Sequence, residues 1–458
     1  MKIIICGAGQ VGYGIAECLA REQNDVTVVD ALPRLVRAVS NALDVRGIVG
    51  YGSYPDVLQR AGARDADMLI AATSTDEVNM VACQIAHSLF EIPTKIARVR
   101  AQDYLELEWR NLFSRDNLPI DVVISPEIAV GDMVMRRLAL PGAFEAVSFA
   151  DDKITLLGIR LREDCPVVDT PLRQLTGLFP DLKTTVAGIV RDNKLFVPHG
   201  ADQMFVGDNV YMIADSTHIE RILGIFGHDE KPARRIIIAG GGHIGLYVAQ
   251  KLEQHKSRHQ VKLIEPDHER ATIAAKALQR TVVLNGSTLE HPLLREAGAG
   301  ETEAFVALTN DDKVNILASV MAKQEGARRT LSLVSGTDFT CLFETLNIDA
   351  YISPRMVTVS TILRYVRKGR IRGVHPICNG QGEVLEAEAL ETSPVVGCPL
   401  READLPSGVR IGALIRNDTT ITPTGDTEIR PHDRIVIFAL AEMVREVEHL
   451  FRVSLDYL

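Results

Sequence analysis

The sequence predicts an α/β protein of duplicated build, in which two doubly wound parallel-sheet domains are each followed by a small α+β domain. Three observations predict it. Short β-branched runs alternate with amphipathic helical stretches, as parallel β-α-β units require. A glycine-rich turn follows the first such run and opens a helix. The whole pattern then recurs at offsets of 228 to 236 residues.

In the first unit, strands are expected at 2–6, 26–30, 45–49, 67–71, 94–99 and 121–124, with helices near 10–22, 33–43, 54–62, 75–90 and 103–113. Runs such as Val26-Thr27-Val28-Val29 suit strands buried on both faces. I-I-I-C-G-A-G-Q-V-G (3–12) returns as I-I-I-A-G-G-G-H-I-G (236–245), and V-T-V-V-D ending at Asp30 returns as V-K-L-I-E ending at Glu265. A-A-T-S-T-D-E-V-N (71–79) returns as A-L-T-N-D-D-K-V-N (307–315). A second pair of segments lies between and after these: G-I-V-R-D-N-K-L-F-V-P-H-G (188–200) and A-L-I-R-N-D-T-T-I-T-P-T-G (413–425). The order is A-B-A′-B′, with boundaries expected at 1–135, 140–228, 232–365 and 370–458. So long a period marks duplicated domains, not a solenoid. The join Gly227-His228-Asp229-Glu230-Lys231-Pro232 is polar and ends in proline, as an inter-domain link should. Each B unit opens with an extended run (155–161; 387–390), and in the first copy two further strands are expected at 186–190 and 210–214.

Composition narrows the classes. Of 458 residues, 46% are hydrophobic and 24% charged, which is globular. Fifty basic against 60 acidic residues give a formal charge of −10, against the basic excess that a broad nucleic-acid surface needs. Aromatics are 5%, with one tryptophan, so base-stacking platforms are not expected. No apolar run approaches the ~20 residues that span a bilayer. The apolar Ile3–Ile5 run is shorter than a signal-peptide core and leads directly into the glycine turn. Seven cysteines (6, 18, 83, 165, 341, 378, 398) show no C-x-x-C spacing, so neither a disulfide framework nor a zinc site is indicated. A soluble cytoplasmic protein is the expectation.

Gly7-Ala8-Gly9-Gln10-Val11-Gly12 is G-x-G-x-x-G between a strand and a helix, the Rossmann-like arrangement. Gly7 permits the tight turn, Gly9 the close approach of a pyrophosphate, and Gly12 the packing of helix on strand. The helix N-terminus offers free N–H groups and a positive dipole end to phosphates. Asp30, at the end of the second strand, can accept from both ribose hydroxyls and would repel a 2′-phosphate, which favours NAD(H) or another adenosine nucleotide over NADP(H). The second copy supplies Gly240, Gly241, Gly242, His243, Ile244, Gly245 and Glu265. Thr73-Ser74 and Thr309 follow the fourth strand of each unit, at the carboxyl edge where ligands of open parallel sheets bind; helix capping explains them equally. Arg98 and Arg100, at the fifth strand, either reach phosphate or are solvated edge charges; their counterparts are Leu333 and Ser335.

A dehydrogenase needs a proton donor or acceptor beside the nicotinamide. Tyr247-x-x-x-Lys251 has a suggestive spacing but follows Gly245 on the pyrophosphate-facing helix, and reads as helix surface. Asp192 and Asp208 read as turn residues, and Trp109 and Phe113 as core or interface. No metal-site or P-loop pattern occurs. A non-enzymatic nucleotide-binding module is therefore the first reading and an NAD-dependent dehydrogenase the alternative.

G-A-G-Q-V-G, V-T-V-V-D, G-Y-G-S, A-A-T-S-T-D-E-V-N-M-V-A-C-Q-I-A and K-I-A-R-V-R, in the A-B-A′-B′ order, closely resemble the cytosolic regulatory subunits of bacterial Trk potassium uptake systems, which carry tandem RCK (regulator of K⁺ conductance) units. The resemblance spans essentially the whole chain. It implies that the A units are Rossmann-like RCK N-lobes and the B units RCK C-lobes, with NAD(H) and ATP or ADP as ligands. It implies a homo-oligomer, a tetramer, peripheral on the cytoplasmic face of a Trk-type potassium-translocating membrane subunit. Carried across, the first site is Gly7 to Gly12, Asp30, Thr73, Ser74 and Arg98, and the second is Gly240 to Gly245, Glu265 and Thr309. The absent arginines leave the second site's nucleotide open.

Overall fold

The computed structural model describes residues 1–451 except 180, 256–258, 337, 338, 340, 341, 344 and 367–370. Cys341 and the expected ends of the last domain, 370 and 458, lie outside the described residues. The chain divides into two units, residues 1–130 with 353–362 and residues 131–352 with 363–458.

In the first unit, β1 (Lys2–Cys6), α1 (Gln10–Arg21), β2 (Asp25–Asp30), α2 (Pro33–Ala42), β3 (Arg46–Val49), α3 (Pro55–Arg60), β4 (Met68–Ala71), α4 (Asp76–Phe90), β5 (Thr94–Arg98) and β6 (Val122–Ile124) follow in order. All neighbouring strands pair in parallel, in the order β3-β2-β1-β4-β5-β6. The order reverses between β1 and β4, which opens a crevice at their carboxyl ends. Central strands such as β4 are buried at every residue, as their unbroken apolar runs require. Proline at the start of α2 and α3 supplies a preset φ where an N–H has no helical partner.

The expected helix at 103–113 is corrected. The segment forms two 3₁₀ stretches, Gln102–Leu105 and Leu107–Phe113. Glu106 between them is extended (φ −68°, ψ 148°), so an i→i+4 ladder cannot run through it. Trp109 is 55% exposed, not core, while Phe113 packs against the buried core between the first parallel sheet and its helices. After β6, α5 (Pro126–Ala139) carries the chain into the second unit.

There β7 (Glu145–Phe149), β8 (Ile154–Arg160), α6 (Leu172–Leu178), β9 (Thr184–Arg191), β10 (Lys194–Phe196), β11 (Asn209–Asp215) and α7 (Ile219–Ile225) build an antiparallel sheet, β10-β9-β11-β8-β7, over its helices. The β9–β10 turn is Asp192-Asn193, both at positive φ (51° and 61°), which twists with the strands as a tight hairpin needs. The opening strand β7 lies within the expected 140–228 unit, ahead of the extended run at 155–161 expected to open it.

A second parallel sheet follows: β12 (Arg235–Ala239), α8 (His243–Gln254), β13 (Gln260–Glu265), α9 (His268–Ala277), β14 (Val282–Asn285), α10 (His291–Glu296), β15 (Ala304–Ala307), α11 (Asp312–Gln324), β16 (Thr330–Leu333) and β17 (Ala350–Ile352). Its order, β14-β13-β12-β15-β16-β17, repeats the first. After α12 (Pro354–Val366), β18 (Ile371–Ile377), β19 (Gly382–Glu388), β20 (Val409–Arg416), β21 (Thr419–Ile421), β22 (Arg434–Leu440) and α13 (Val444–Leu450) repeat the antiparallel lobe, as β18-β19-β22-β20-β21. The two antiparallel lobes meet at glycine notches. A Cβ on Gly188 would stand 2.3 Å from the Phe438 ring, and one on Gly412 2.3 Å from Ile213.

Candidate nucleotide sites

β1 ends at Cys6, and Gly7 turns the chain with φ +111°, a conformation that excludes most side chains. A Cβ there would also lie 2.8 Å from the Ala72 carbonyl oxygen, so this loop and the one after β4 pack backbone to backbone. A Cβ on Gly12 would fall 1.8 Å from the Gly7 carbonyl oxygen, whereas one on Gly9 meets nothing within 4 Å. Gly7 and Gly12 therefore fold the loop, and Gly9 leaves its outer face open. Gly9 is the N-cap of α1 with no side-chain cap, so the first amides of α1 keep their hydrogen-bonding capacity for an anion.

Asp30 closes this loop from β2. Its Oδ2 accepts from the Ala8 amide at 2.7 Å and its Oδ1 from the Leu32 amide at 2.8 Å. Each oxygen retains a second lone pair for a hydroxyl. The second copy reproduces the arrangement. Gly240 has φ +107°, a Cβ on Gly245 would lie 1.9 Å from the Gly240 carbonyl oxygen, and Gly242 has open space. Glu265 Oε2 accepts from the Gly241 amide at 2.6 Å and Oε1 from Asp267 at 3.0 Å. Glu265 is buried, while Asp30 is half-buried. His243 and Ile244 open α8, and the His243 side chain is exposed.

The loop after β4 is clamped by a residue that the sequence reading did not single out. Asn79 Oδ1 accepts from the Thr73 amide (2.9 Å) and hydroxyl (2.7 Å), and its Nδ2 donates to the Arg98 carbonyl (2.9 Å). Asn315 does the same for Thr309 (2.9 and 2.7 Å) and the Leu333 carbonyl (2.8 Å). Thr73 is thus no cap of α4, whose N-cap is Thr75. Asp76 accepts from the amides of Arg100 and Ala101, as Asp312 does from Ser335 and Gly336. These four residues stand in the repeated D-x-x-N that both copies share, which was the available signal.

Arg98 is not a solvated edge charge. Its Nη2 donates to Glu127 Oε1 at 2.7 Å, and Arg100 Nε reaches the same oxygen at 3.2 Å. Two guanidiniums share one buried carboxylate, and with Asp76 alongside the carboxyl end of β5 holds two cations against two anions. Ser74 offers its carbonyl to Arg100 Nη1 at 3.4 Å. The residue in the Glu127 position of the second copy is Arg355, which lies over α1 of the first unit, ion-paired to Glu17 and 5.4 Å from the Tyr13 ring centre.

Two minor readings are corrected. Tyr247 is buried and donates to Asp132 Oδ1 at 2.7 Å, so it is not helix surface. Burial, helped by Asp132, pushes its phenol well up from the ordinary value. Asp208 is more than a turn residue. It is 3% exposed and accepts from Arg191 Nε (2.9 Å) and Nη2 (2.7 Å), a fork repeated by Arg416 and Asp433. Among the described residues no helix is long and apolar enough to cross a membrane.

Two open parallel sheets with acid-closed glycine loops, each followed by a five-stranded antiparallel lobe, define a tandem RCK protein. The TrkA-N domain model matches residues 3–126 and 236–354, and the TrkA-C domain model matches 156–227 and 384–452. The Trk system potassium uptake protein TrkA of Azorhizobium caulinodans is 57% identical over 457 residues, covering all of both chains. The chain belongs to the TrkA family. The crystal structure of the GsuK RCK domain shares its fold with a TM-score of 0.62 at 17% identity, covering 98% of this chain and 94% of that one. The GsuK channel bound to NAD gives 0.60 at 17% identity, covering 98% and 78%.

Proposed function

We propose that this protein is the nucleotide-sensing regulatory subunit of a Trk-type potassium uptake system, binding NAD(H) and adenine nucleotides and gating transport through a membrane partner. The observation that carries the reading is the doubled, prefolded glycine loop. In each copy the loop's own acid, Asp30 or Glu265, already holds the loop amide and the strand end together. The name of the Azorhizobium relative supports the potassium system, and the NAD held by the GsuK channel supports the ligand class. The sites are Gly7 to Gly12, Asp30, Thr73, Ser74 and Arg98, and Gly240 to Gly245, Glu265 and Thr309. The proposed domains are 1–135, 140–228, 232–365 and 370–458, assembled as a homotetramer on the inner membrane face. Binding gates transport only through differential affinity for two conformations.

Titration calorimetry with NAD⁺, NADH, ATP and ADP tests the sensor. Binding of at least one nucleotide in the micromolar to millimolar range is expected, and none at all overturns the reading. Pull-down from native membranes with and without NADH tests the partner. Recovery of a potassium-translocating subunit is expected. Steady turnover of NAD⁺ with a metabolite panel would instead favour a dehydrogenase.

A further inference from the structure

The second unit contains a cavity of about 1400 Å³ at the edge of its parallel sheet opposite the glycine loop. Arg234, Ala304, Thr330 and Ala350, at or just before the amino ends of β12, β15, β16 and β17, form one wall. The end of α5, the end of β8 and the link 228–234 form the other. The nucleotide loops lie at the carboxyl ends, so this is a separate place in the fold.

Its charge is unlike that of the chain. Seven arginines and lysines line it against three carboxylates, in a protein of net charge −10. Two of those carboxylates are engaged by cations outside the cavity, Glu303 by Arg235 and Asp349 by Lys323. Glu230 pairs with Arg162, one of the seven, at 2.9 Å. The Arg137 side chain is only 4% exposed, and although its Nη2 donates to Glu145 at 2.8 Å, its Nε and Nη1 have no hydrogen-bond partner. Buried guanidinium N–H groups without acceptors call for an explanation. An acceptor-rich ligand in the cavity provides one.

The internal repeat shows that this charge is no property of the fold. By the strand and helix register of the two copies, Arg137 corresponds to Tyr365, Arg160 to Glu388 and Arg162 to Leu390. Arg328 and Arg329, before β16, correspond to Pro93 and Thr94 at β5. Arg137, Arg160 and Arg162 come from the first copy and Arg328 and Arg329 from the second, and none of the five has a basic counterpart in the other copy.

We propose that this cavity binds a small soluble polyanion carrying two or more phosphate groups, at a site distinct from both glycine loops. Guanidinium forks match phosphate geometry bidentately, and the volume accommodates a nucleotide-sized polyphosphate. The inference does not rest on the nucleotide reading above.

The test is calorimetric titration of the full chain with inorganic tripolyphosphate. The variant Arg162→Gln/Lys231→Gln/Arg328→Gln changes only exposed side chains and so leaves the fold intact. Wild type should bind, more weakly at higher salt, and the triple variant should bind about tenfold or more weakly. Arg137→Gln should weaken it further if the variant folds. A Gly9→Val/Gly242→Val variant, altered in both glycine loops, should bind as wild type does. Absence of binding, or affinity in the triple variant within twofold of wild type, overturns the proposal. Loss of tripolyphosphate binding in the glycine variant also overturns it, by placing the phosphate on the loops. Co-sedimentation with phosphatidylglycerol vesicles that the triple variant abolishes, without tripolyphosphate binding, would assign the site to a lipid headgroup and overturn it too.

Discussion

Alanine at Gly9 and at Gly12 should separate binding from folding. Gly9 has φ −68° and ψ −172°, allowed to any residue, and its Cβ would meet nothing within 4 Å. Gly9→Ala should therefore change stability by no more than about 0.5 kcal/mol. At Gly12 the new carbon would lie 1.8 Å from a backbone oxygen, where ordinary contact needs more than 3 Å, so α1 must withdraw by over 1 Å. Overpacking of that kind costs roughly 1–3 kcal/mol or more. At about 2–4 °C per kcal/mol, Gly12→Ala should unfold about 2–12 °C lower in scanning calorimetry. Binding should reverse the ranking per unit of stability lost. The Gly9 methyl group stands where a pyrophosphate would approach the α1 amides. Titration with NAD⁺ should show one binding step weakened at least about tenfold, or 1.4 kcal/mol, with the fold intact. Unchanged NAD⁺ affinity in Gly9→Ala would remove the pyrophosphate from this loop. An unchanged melting temperature in Gly12→Ala would refute the packing argument.

Asp30→Ala removes a charged acceptor, so NAD⁺ affinity should fall by about 1.5–3 kcal/mol at one step, and discrimination against NADP⁺ should narrow. Parallel titrations with both dinucleotides check this, and an unaltered affinity ratio would refute the ribose assignment. Asp208→Asn leaves the Arg191 fork facing a neutral amide, and Asp433→Asn does the same to Arg416. Each should lower urea stability by about 1.5–3 kcal/mol, and equal losses would show the two lobes to be equivalent. Burial works against charge on Glu253, but the amides of Gln279, Arg280 and Thr281 outweigh it and hold this carboxyl below its ordinary value. A depressed carboxyl contributes stability above its unfolded value and loses it as pH falls through the folded one. Glu253→Gln should therefore destabilise at neutral pH and flatten the decline below about pH 4.5, read by urea unfolding across pH 3–7.

Both parallel sheets were legible because periodicity and glycine placement state them locally. A strand buried on both faces reads as an unbroken apolar run, and the positive-φ turns after β1 and β12 read as glycine. What failed to read carried no such mark in the residues themselves. Glu106 breaks the expected fifth helix through its own backbone angle, in a segment whose apolar spacing still reads as helical. β7 is a strand because Glu145–Phe149 pairs antiparallel with Ile154–Gly158 of β8 residue by residue, with no glycine in the intervening turn. Tyr247 and Asp208 were read by neighbours in sequence, yet their partners lie 115 and 17 residues away. Asn79 and Asn315 were within reach: a polar residue retained on the inner face of two otherwise diverged helices has to be satisfied by something buried.

The duplication also turns one molecule into a controlled comparison. Both copies keep the glycine geometry, the acid that closes the loop, and the threonine–asparagine clamp, with matching distances. Any backbone recognition of a nucleotide should therefore be common to both. What differs is charge at the carboxyl edge: Arg98, Arg100 and Glu127 in the first copy stand where the second has Leu333, Ser335 and Arg355. With Asp76 beside them, two cations meet two anions at the first edge, whereas the second edge keeps the equivalent Asp312 without those cations, so the local potential for phosphates is higher at the first. At the second edge Leu333 and Ser335 supply no charge, and Arg355 lies instead against α1 of the first unit, where a Cβ on Gly14 would strike it at 2.5 Å. Phosphate-rich ligands should then favour the first site, and the preference should shrink as salt rises, because screening acts on the charges and leaves the loop amides unchanged. A two-step isotherm for ATP whose steps converge at high salt would follow from this difference. Steps that stay apart would place the asymmetry in the acids instead, where Glu265 is buried and Asp30 is not.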